Sequence, residues 1–151
     1  MPAVSPEHRV ILLVDDQEPD IVLIKRALKK SGLKYPVLSV PGGLEAVAYL
    51  NGDPPYQDRA RYPFPLLVLL DVRMPLMDGF EVLTWIRNNP VLASLPVIML
   101  TGSEENGQQK RAHELGATSF FVKSLDLGNS DLSRTVMGLM SAGTQSRSTL
   151  T

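Results

Sequence analysis

Five polar residues stand at or just past the ends of short apolar runs, and their side chains could together hold a phosphoryl group. They are Asp15, Asp16, Asp71, Thr101 and Lys123. A carboxylate oxygen can attack phosphorus, while an ammonium and a hydroxyl can hold the oxygens of the transferred group. The chemistry that these residue types suggest is phosphoryl transfer to a carboxylate.

The three acidic residues of this group also predict a metal site. Crowded carboxylates repel one another, and a divalent cation is the simplest relief. The chain has no cysteine, and neither of its two histidines lies beside the acidic residues. The available ligands are therefore hard oxygen atoms, which favour Mg²⁺ over Zn²⁺ or Cu²⁺.

The apolar runs predict buried strands, and the stretches between them predict helices. Strands are expected over residues 9–14, 36–40, 66–70, 97–100 and 120–122, and helices over residues 19–31, 44–50, 79–88, 104–115 and 127–140. Strands that alternate with helices predict an α/β fold, a doubly wound three-layer sandwich around a parallel sheet. The carboxyl ends of such strands meet at one edge, where these folds bind ligands.

Two segments of this pattern stand out by composition. The helix expected over residues 104–115 contains Gly107 and offers little apolar surface beyond Ala112 and Leu115, so it is predicted to be the most weakly held. The connection over residues 53–65 is rich in proline and aromatic residues. Local packing is the preferred interpretation of this connection, and a patch for a partner protein is the alternative.

Each candidate site residue also has a simpler interpretation. Asp15 and Asp16 could begin a turn and cap a helix, Thr101 could cap one too, and Asp71 and Lys123 could be solvated residues at strand ends. Coincidence accounts poorly for all five at one edge of a sheet, so the functional interpretation is preferred for the set.

The motifs around these residues resemble the receiver domains of two-component response regulators, the CheY-like family. The resemblance rests on Val-Asp-Asp ending at Asp16, Leu-Asp-Val-Arg-Met-Pro-Leu-Met-Asp-Gly ending at Gly79, Leu-Thr ending at Thr101, and Phe-Phe-Val-Lys ending at Lys123. It implies a five-stranded parallel sheet of order 2-1-3-4-5, the flavodoxin-like arrangement. The long 53–65 connection resembles that of single-domain regulators that partner phytochrome-type kinases.

The resemblance also implies a role for each site residue. Asp71 would be the phosphoacceptor, and the ligands of Mg²⁺ would be Asp15, Asp16, Asp71 and the backbone carbonyl of Arg73. Thr101 and Lys123 would contact the phosphoryl group.

Two further residues near the pocket bear on the family pattern. Phe120 would be the aromatic residue that changes rotamer on activation. Ser124 stands where the family commonly has a proline, so the peptide bond after Lys123 is predicted to be trans.

Length and composition bound the function classes. The chain has 151 residues, 44% of them hydrophobic, and a net charge of −1. This length and composition predict one globular domain. We expect a receiver domain over residues 9–142, an N-terminal extension over 1–8 and a flexible C-terminal tail over 143–151. The sequence has no basic stripe for nucleic acid, no signal peptide and no membrane span, so a cytoplasmic location is predicted.

The leading hypothesis is a stand-alone response regulator, not an enzyme. It would accept a phosphoryl group from a histidine kinase or phosphotransfer protein and signal to a downstream protein target. A homodimer is also compatible with this hypothesis. One alternative is a Mg²⁺-dependent phosphatase with an aspartyl-phosphate intermediate, although such enzymes place an Asp-x-Asp nucleophile motif at their first strand. The other is a pseudo-receiver that binds partners without phosphorylation.

Overall fold

Strands and helices alternate along the chain in this computed structural model, which describes residues 9–103, 107–123 and 131–149. The strands are β1 Ile11–Val14, β2 Val37–Val40, β3 Leu67–Asp71, β4 Val97–Thr101 and β5 Ser119–Val122. The helices are α1 Glu18–Lys30, α2 Gly43–Asn51, α3 Gly79–Asn88, α4 Gln108–Glu114 and α5 Asp131–Thr149. The predicted α/β architecture is confirmed.

All neighbouring strands of the sheet are parallel, in the order β2-β1-β3-β4-β5. This is the order that the family resemblance implied. The registers place Val14 beside Leu70, Asp71 beside Leu100 and Thr101 beside Val122. The carboxyl ends of β1, β3, β4 and β5 therefore lie next to one another along one edge.

The two faces of the sheet bury two separate cores because alternate strand residues point to opposite sides. On one side, Leu12 and Val14 pack with residues of α2, α3 and α4, including Ala46, Ile86 and Ala112. On the other side, Ile11 and Leu13 pack with residues of α1 and α5, including Ile24, Leu28 and Val136. The result is the predicted three-layer sandwich.

The connection between α2 and β3 folds onto the protein rather than projecting from it. The rings of Tyr56 and Tyr62 meet edge to face, with centroids 5.1 Å apart, and both pack against the core. Tyr49 donates a hydrogen bond to the carbonyl of Pro63 (2.7 Å). Arg59 donates hydrogen bonds to the carbonyls of Tyr49 and Leu50, at the carboxyl end of α2 (2.8 and 3.1 Å). The prediction of local packing is thus confirmed.

Two helix boundaries predicted from the sequence are wrong. Gly107 is not inside a helix, since its φ of 87° is left-handed and α4 begins after it at Gln108. The last helix does not end at Met140 but continues to Thr149, across most of residues 143–151 that were assigned to a tail. The expected helix starts near Glu104 and Leu127, and Ser124 with its peptide bond, fall outside the described residues.

Within the parts of the chain that the structure describes, no helix combines the length and the apolar character needed to span a bilayer.

Candidate functional site

The site lies where four neighbouring strands end. Asp71 and Thr101 are the last residues of β3 and β4, Asp15 follows β1, and Lys123 follows β5. Buried strands that end in polar residues leave those side chains at the edge of the sheet, where they need polar partners. The Asp15 amide continues the β1–β2 pairing by donating to the Val40 carbonyl (3.2 Å).

The loop after β3 is folded tightly back onto Asp71. Gly79 opens α3, and a Cβ atom at this position would lie 2.2 Å from the backbone oxygen of Asp71, so only glycine fits without a shift. Asp78 caps α3 by accepting a hydrogen bond from the Glu81 amide (2.9 Å), and Glu81 accepts one from the Asp78 amide in return. This capping box fixes the direction in which the chain leaves the site.

Three carboxylates meet at this edge. Asp15, Asp16 and Asp71 each offer an oxygen, and the three oxygens lie within 4.8 Å of one another. Asp15 is fully buried, Asp71 is only 5% exposed and Asp16 is partly exposed. Hard oxygen donors at this spacing, with one side open to solvent, fit Mg²⁺, which keeps several of its own waters.

Lys123 partly neutralises the acidic group. Its ammonium lies 2.6 Å from Asp15 Oδ2, 2.8 Å from Asp20 Oδ2 and 3.3 Å from Asp71 Oδ1, and its side chain is 8% exposed. Burial alone would lower the pKa of Lys123, but its hydrogen bonds to Asp15 and Asp20 and the charge on Asp71 raise that pKa above its ordinary value. Lys123 therefore stays cationic at neutral pH.

For Asp71, the effect of burial outweighs that of the contact with Lys123. Burial raises the pKa of Asp71 from its ordinary 3.8 to about 6; Lys123 opposes the rise, whereas Asp15 and Asp16 add to it. One ammonium is thus not enough to offset the desolvation of this carboxylate and the charge of its neighbours. A further cation at the three oxygens would favour the ionised form.

An open cavity of about 700 Å³ gives access to the group. Asp16, Asp71, Thr101 and Lys123 line it, and so does Arg73, the residue whose carbonyl was predicted as a further metal ligand. All the predicted phosphoryl and metal residues therefore lie at the cavity, apart from Asp15, which contacts Lys123 and is fully buried.

Some contacts at the site were not anticipated from the sequence. Asp20 holds Lys123, and the sequence signal for it was an acidic residue in the first turn of α1, just after Asp15 and Asp16. Thr101 Oγ1 contacts Gln108 Oε1 (3.1 Å), and the guanidinium of Arg111 lies 4.4 Å from the ring centre of Phe80. Gln108, Arg111 and Phe80 all line the cavity.

Phe120, predicted as the aromatic that changes rotamer, lies on β5. It is partly buried and packs against the core on the α2–α4 side of the sheet.

Known proteins resemble this chain in sequence and in fold. The response regulator receiver domain family matches residues 11–132. Response regulator Rcp1 of Synechocystis sp. is 36% identical over 137 residues, which cover 91% of this chain and 90% of Rcp1. The crystal structure of the Mn²⁺-bound form of Rcp1 matches with a TM-score of 0.72 and 35% identity, over 88% of this chain and 92% of that one.

A second solved structure has the same arrangement. The phosphorylated cyanobacterial phytochrome response regulator RcpA matches with a TM-score of 0.73 and 36% identity, over 87% of this chain and 91% of that one. The sheet order, the residues at its carboxyl edge and the extent of these matches agree, and the chain belongs to the response regulator receiver domain family.

Proposed function

We infer that this receiver accepts a phosphoryl group on Asp71 in a Mg²⁺-dependent reaction. The observation that carries this inference is the grouping around Asp71 of two further carboxylates within 4.8 Å, an ammonium at 3.3 Å and an open cavity. Of the three carboxylates, Asp71 is the one that both contacts Lys123 and lines the cavity. It is also the last residue of β3.

The residues divide the work of the transfer. An Asp71 oxygen attacks phosphorus, and the bond from phosphorus to the donor's imidazole nitrogen breaks, with its electron pair returning to the nitrogen. Lys123 and Thr101 hold the phosphoryl oxygens, while Asp15, Asp16, Asp71 and the carbonyl of Arg73 would hold the metal. Mg²⁺ would supply neutralisation of the charge that builds up between carboxylate and phosphoryl oxygens.

The donor that this chemistry fits is a phosphohistidine on a histidine kinase or phosphotransfer protein. Response regulators related to this chain act as signalling switches rather than enzymes, so the phosphatase alternative is not retained. The output passes to another protein through the surface of α4, β5 and α5. Support for this surface comes from α4, whose only buried residue is Ala112 and which is therefore the helix most easily moved.

Binding of a phosphoryl mimic tests the proposal. Beryllofluoride with Mg²⁺ should raise the melting temperature by about 5–10 °C at 100 times its dissociation constant, since a ligand of the folded state stabilises it. Beryllofluoride in EDTA should have no effect. If beryllofluoride with Mg²⁺ left the melting temperature unchanged, the protein would instead be a pseudo-receiver.

Replacing Lys123 should move the affinities for metal and for phosphoryl mimic in opposite directions. In Lys123→Met, Mg²⁺ should bind about tenfold more tightly, because an ammonium no longer competes for Asp15 and Asp71. Beryllofluoride should bind more weakly, because its fluorines lose a cationic partner. Titrations followed by calorimetry would measure both constants.

The matched control for Lys123 is Lys110→Met. Lys110 is a largely exposed lysine on α4 that only approaches Glu114 (4.0 Å), and both affinities should stay at their wild-type values. A loss of both affinities in Lys123→Met would contradict the role assigned to Lys123.

A further inference from the structure

The hydroxyl of Thr101 is held by the segment that follows β4. Thr101 Oγ1 lies 2.8 Å from the carbonyl oxygen of Ser103 and 3.1 Å from Gln108 Oε1. Thr101 is 2% exposed, and Gln108 is a partly buried residue of the cavity lining. The side chain of Gln108 thus links the first residue of α4 to the last residue of β4.

The contact of Gln108 with Thr101 ties the amino-terminal turn of α4 to the sheet. The helix has seven residues, and Gly107 before it provides no side-chain cap. A helix this short depends on tertiary contacts for its stability. Arg111, one turn further on, is held at the Phe80 ring. The link from Gln108 to Thr101 is therefore one of the contacts that hold the first turn in place.

Gly107 precedes this turn in a left-handed backbone conformation. Its φ of 87° is a conformation that residues with a side chain rarely adopt, and no atom of the described residues beyond its chain neighbours lies within 4 Å of the position that a Cβ would take. Gly107 therefore supplies a backbone conformation at this junction that few other residues would adopt, while the contact of Arg111 with the Phe80 ring holds the middle of the helix.

A hydroxyl has one proton, so Thr101 cannot serve all its potential acceptors at once. In the structure, two acceptors lie within hydrogen-bond distance of the hydroxyl, the oxygens of Ser103 and Gln108. A phosphoryl group on Asp71 would bring a third, charged acceptor, and hydrogen bonds to charged acceptors are stronger than those to an amide. Donation to the phosphoryl group then breaks the link to α4.

We propose that Gln108 is a positioning residue that holds the Thr101 hydroxyl in the unphosphorylated arrangement and releases the first turn of α4 when Asp71 is phosphorylated. This inference rests on the proposed function, since Thr101 must contact the phosphoryl group. Gln108 acts through Thr101 and touches neither the metal nor the reacting atoms. Its contact energy sets how far the unphosphorylated arrangement is favoured, and so opposes phosphoryl binding.

The test is Gln108→Met, which keeps the length of the side chain and removes its acceptor. Its affinity for beryllofluoride in saturating Mg²⁺ should rise about fivefold, the factor expected for the loss of one competing hydrogen bond. Gln109→Met is the matched control, because Gln109 is the adjacent glutamine of the same helix and is exposed. This control should bind beryllofluoride as the wild type does.

A double-mutant cycle with Thr101→Val shows whether the effect passes through the hydroxyl. Without that hydroxyl, Gln108→Met should change beryllofluoride affinity by less than about 1.5-fold, as expected when a shared partner is absent.

Hydrogen exchange in the absence of beryllofluoride gives a second readout. The amides of α4 should exchange faster in Gln108→Met than in Gln109→Met.

The outcomes separate the two proposals. If the wild type binds beryllofluoride and Gln108→Met binds it equally or less well, the role of Gln108 is wrong and the proposed function stands. An increase that persists in the Thr101→Val background would equally overturn the role, by showing that it does not act through the hydroxyl. If the wild type fails to bind, the proposed function and the inference that rests on it both fall.

Discussion

Asp71→Asn should abolish covalent labelling of the protein by acetyl phosphate. In the wild type, intact-mass analysis should find one added phosphoryl group when Mg²⁺ is present and none in EDTA. An asparagine amide is not a nucleophile toward phosphorus, and the substitution removes one of the three carboxylates proposed to hold the metal. The expected effect is therefore complete loss rather than a reduction.

The other acids of the cavity provide the comparison for this experiment. Asp16→Asn removes a metal ligand but leaves the Asp71 carboxylate in place, so labelling should be slowed and recovered in part by higher Mg²⁺. If Asp71→Asn were labelled as the wild type is, the phosphoacceptor would be another residue. Peptide mapping of the labelled wild type would then identify it.

Asp71→Asn should also stabilise the metal-free protein at neutral pH. The pKa of Asp71 is raised from 3.8 to about 6 in the folded protein, so the folded state holds this proton more tightly than the unfolded state does. The free energy of unfolding therefore falls as the pH rises from 3.8, the pKa of Asp71 in the unfolded state, to about 6, its pKa in the folded state. Above about pH 6 the full cost of the buried charge remains. The Asp71→Asn variant avoids this penalty because its amide side chain is never charged.

The gain should reach as much as about 3 kcal/mol in the free energy of unfolding at pH 7.5 and nearly vanish at about pH 4. Denaturant unfolding in EDTA at the two pH values measures it. Asp53→Asn, which removes an exposed carboxylate in the connection after α2, is the control and should show no such pH-dependent gain. A destabilised Asp71→Asn at pH 7.5 would mean that Lys123 already compensates the buried charge.

Magnesium should reverse this order of stabilities. The wild type has three carboxylates for the ion and Asp71→Asn has two, so saturating Mg²⁺ stabilises the wild type more. The burial of Asp71 and the charges of Asp15 and Asp16, which raise the pKa of Asp71 in the metal-free protein, are thus also what should favour a bound cation.

Local patterns determined the elements of this fold and the residues of its site. The strands β1, β3 and β4 are short apolar runs, and their burial on both faces of the sheet requires such runs whatever their neighbours are. The polar residues at the strand ends, from Asp15 to Lys123, were recognisable because an abrupt change from apolar to polar marks the edge of the sheet. The order of the strands came from family resemblance, because hydrophobic runs do not encode which strand pairs with which.

Helix boundaries show where local patterns stop being decisive. The segment before α4 has no strong helix signal, and the left-handed conformation of Gly107 places the start of the helix at Gln108. At the other end of the chain, residues of modest helix propensity continue α5 to Thr149. Propensity differences of this size are small, and the surrounding structure readily overrides them.

Only the tertiary structure decided which partners the site residues have. Asp20 and Lys123 are 103 positions apart in the chain, yet their side chains meet at 2.8 Å. The hydroxyl of Thr101 contacts Gln108, a residue that carries no motif. Such contacts depend on the rotation of a helix and the path of a loop to within about an ångström, the tolerance of a hydrogen bond. Sequence periodicity places a residue on a face, but only packing of the whole chain sets distances that fine.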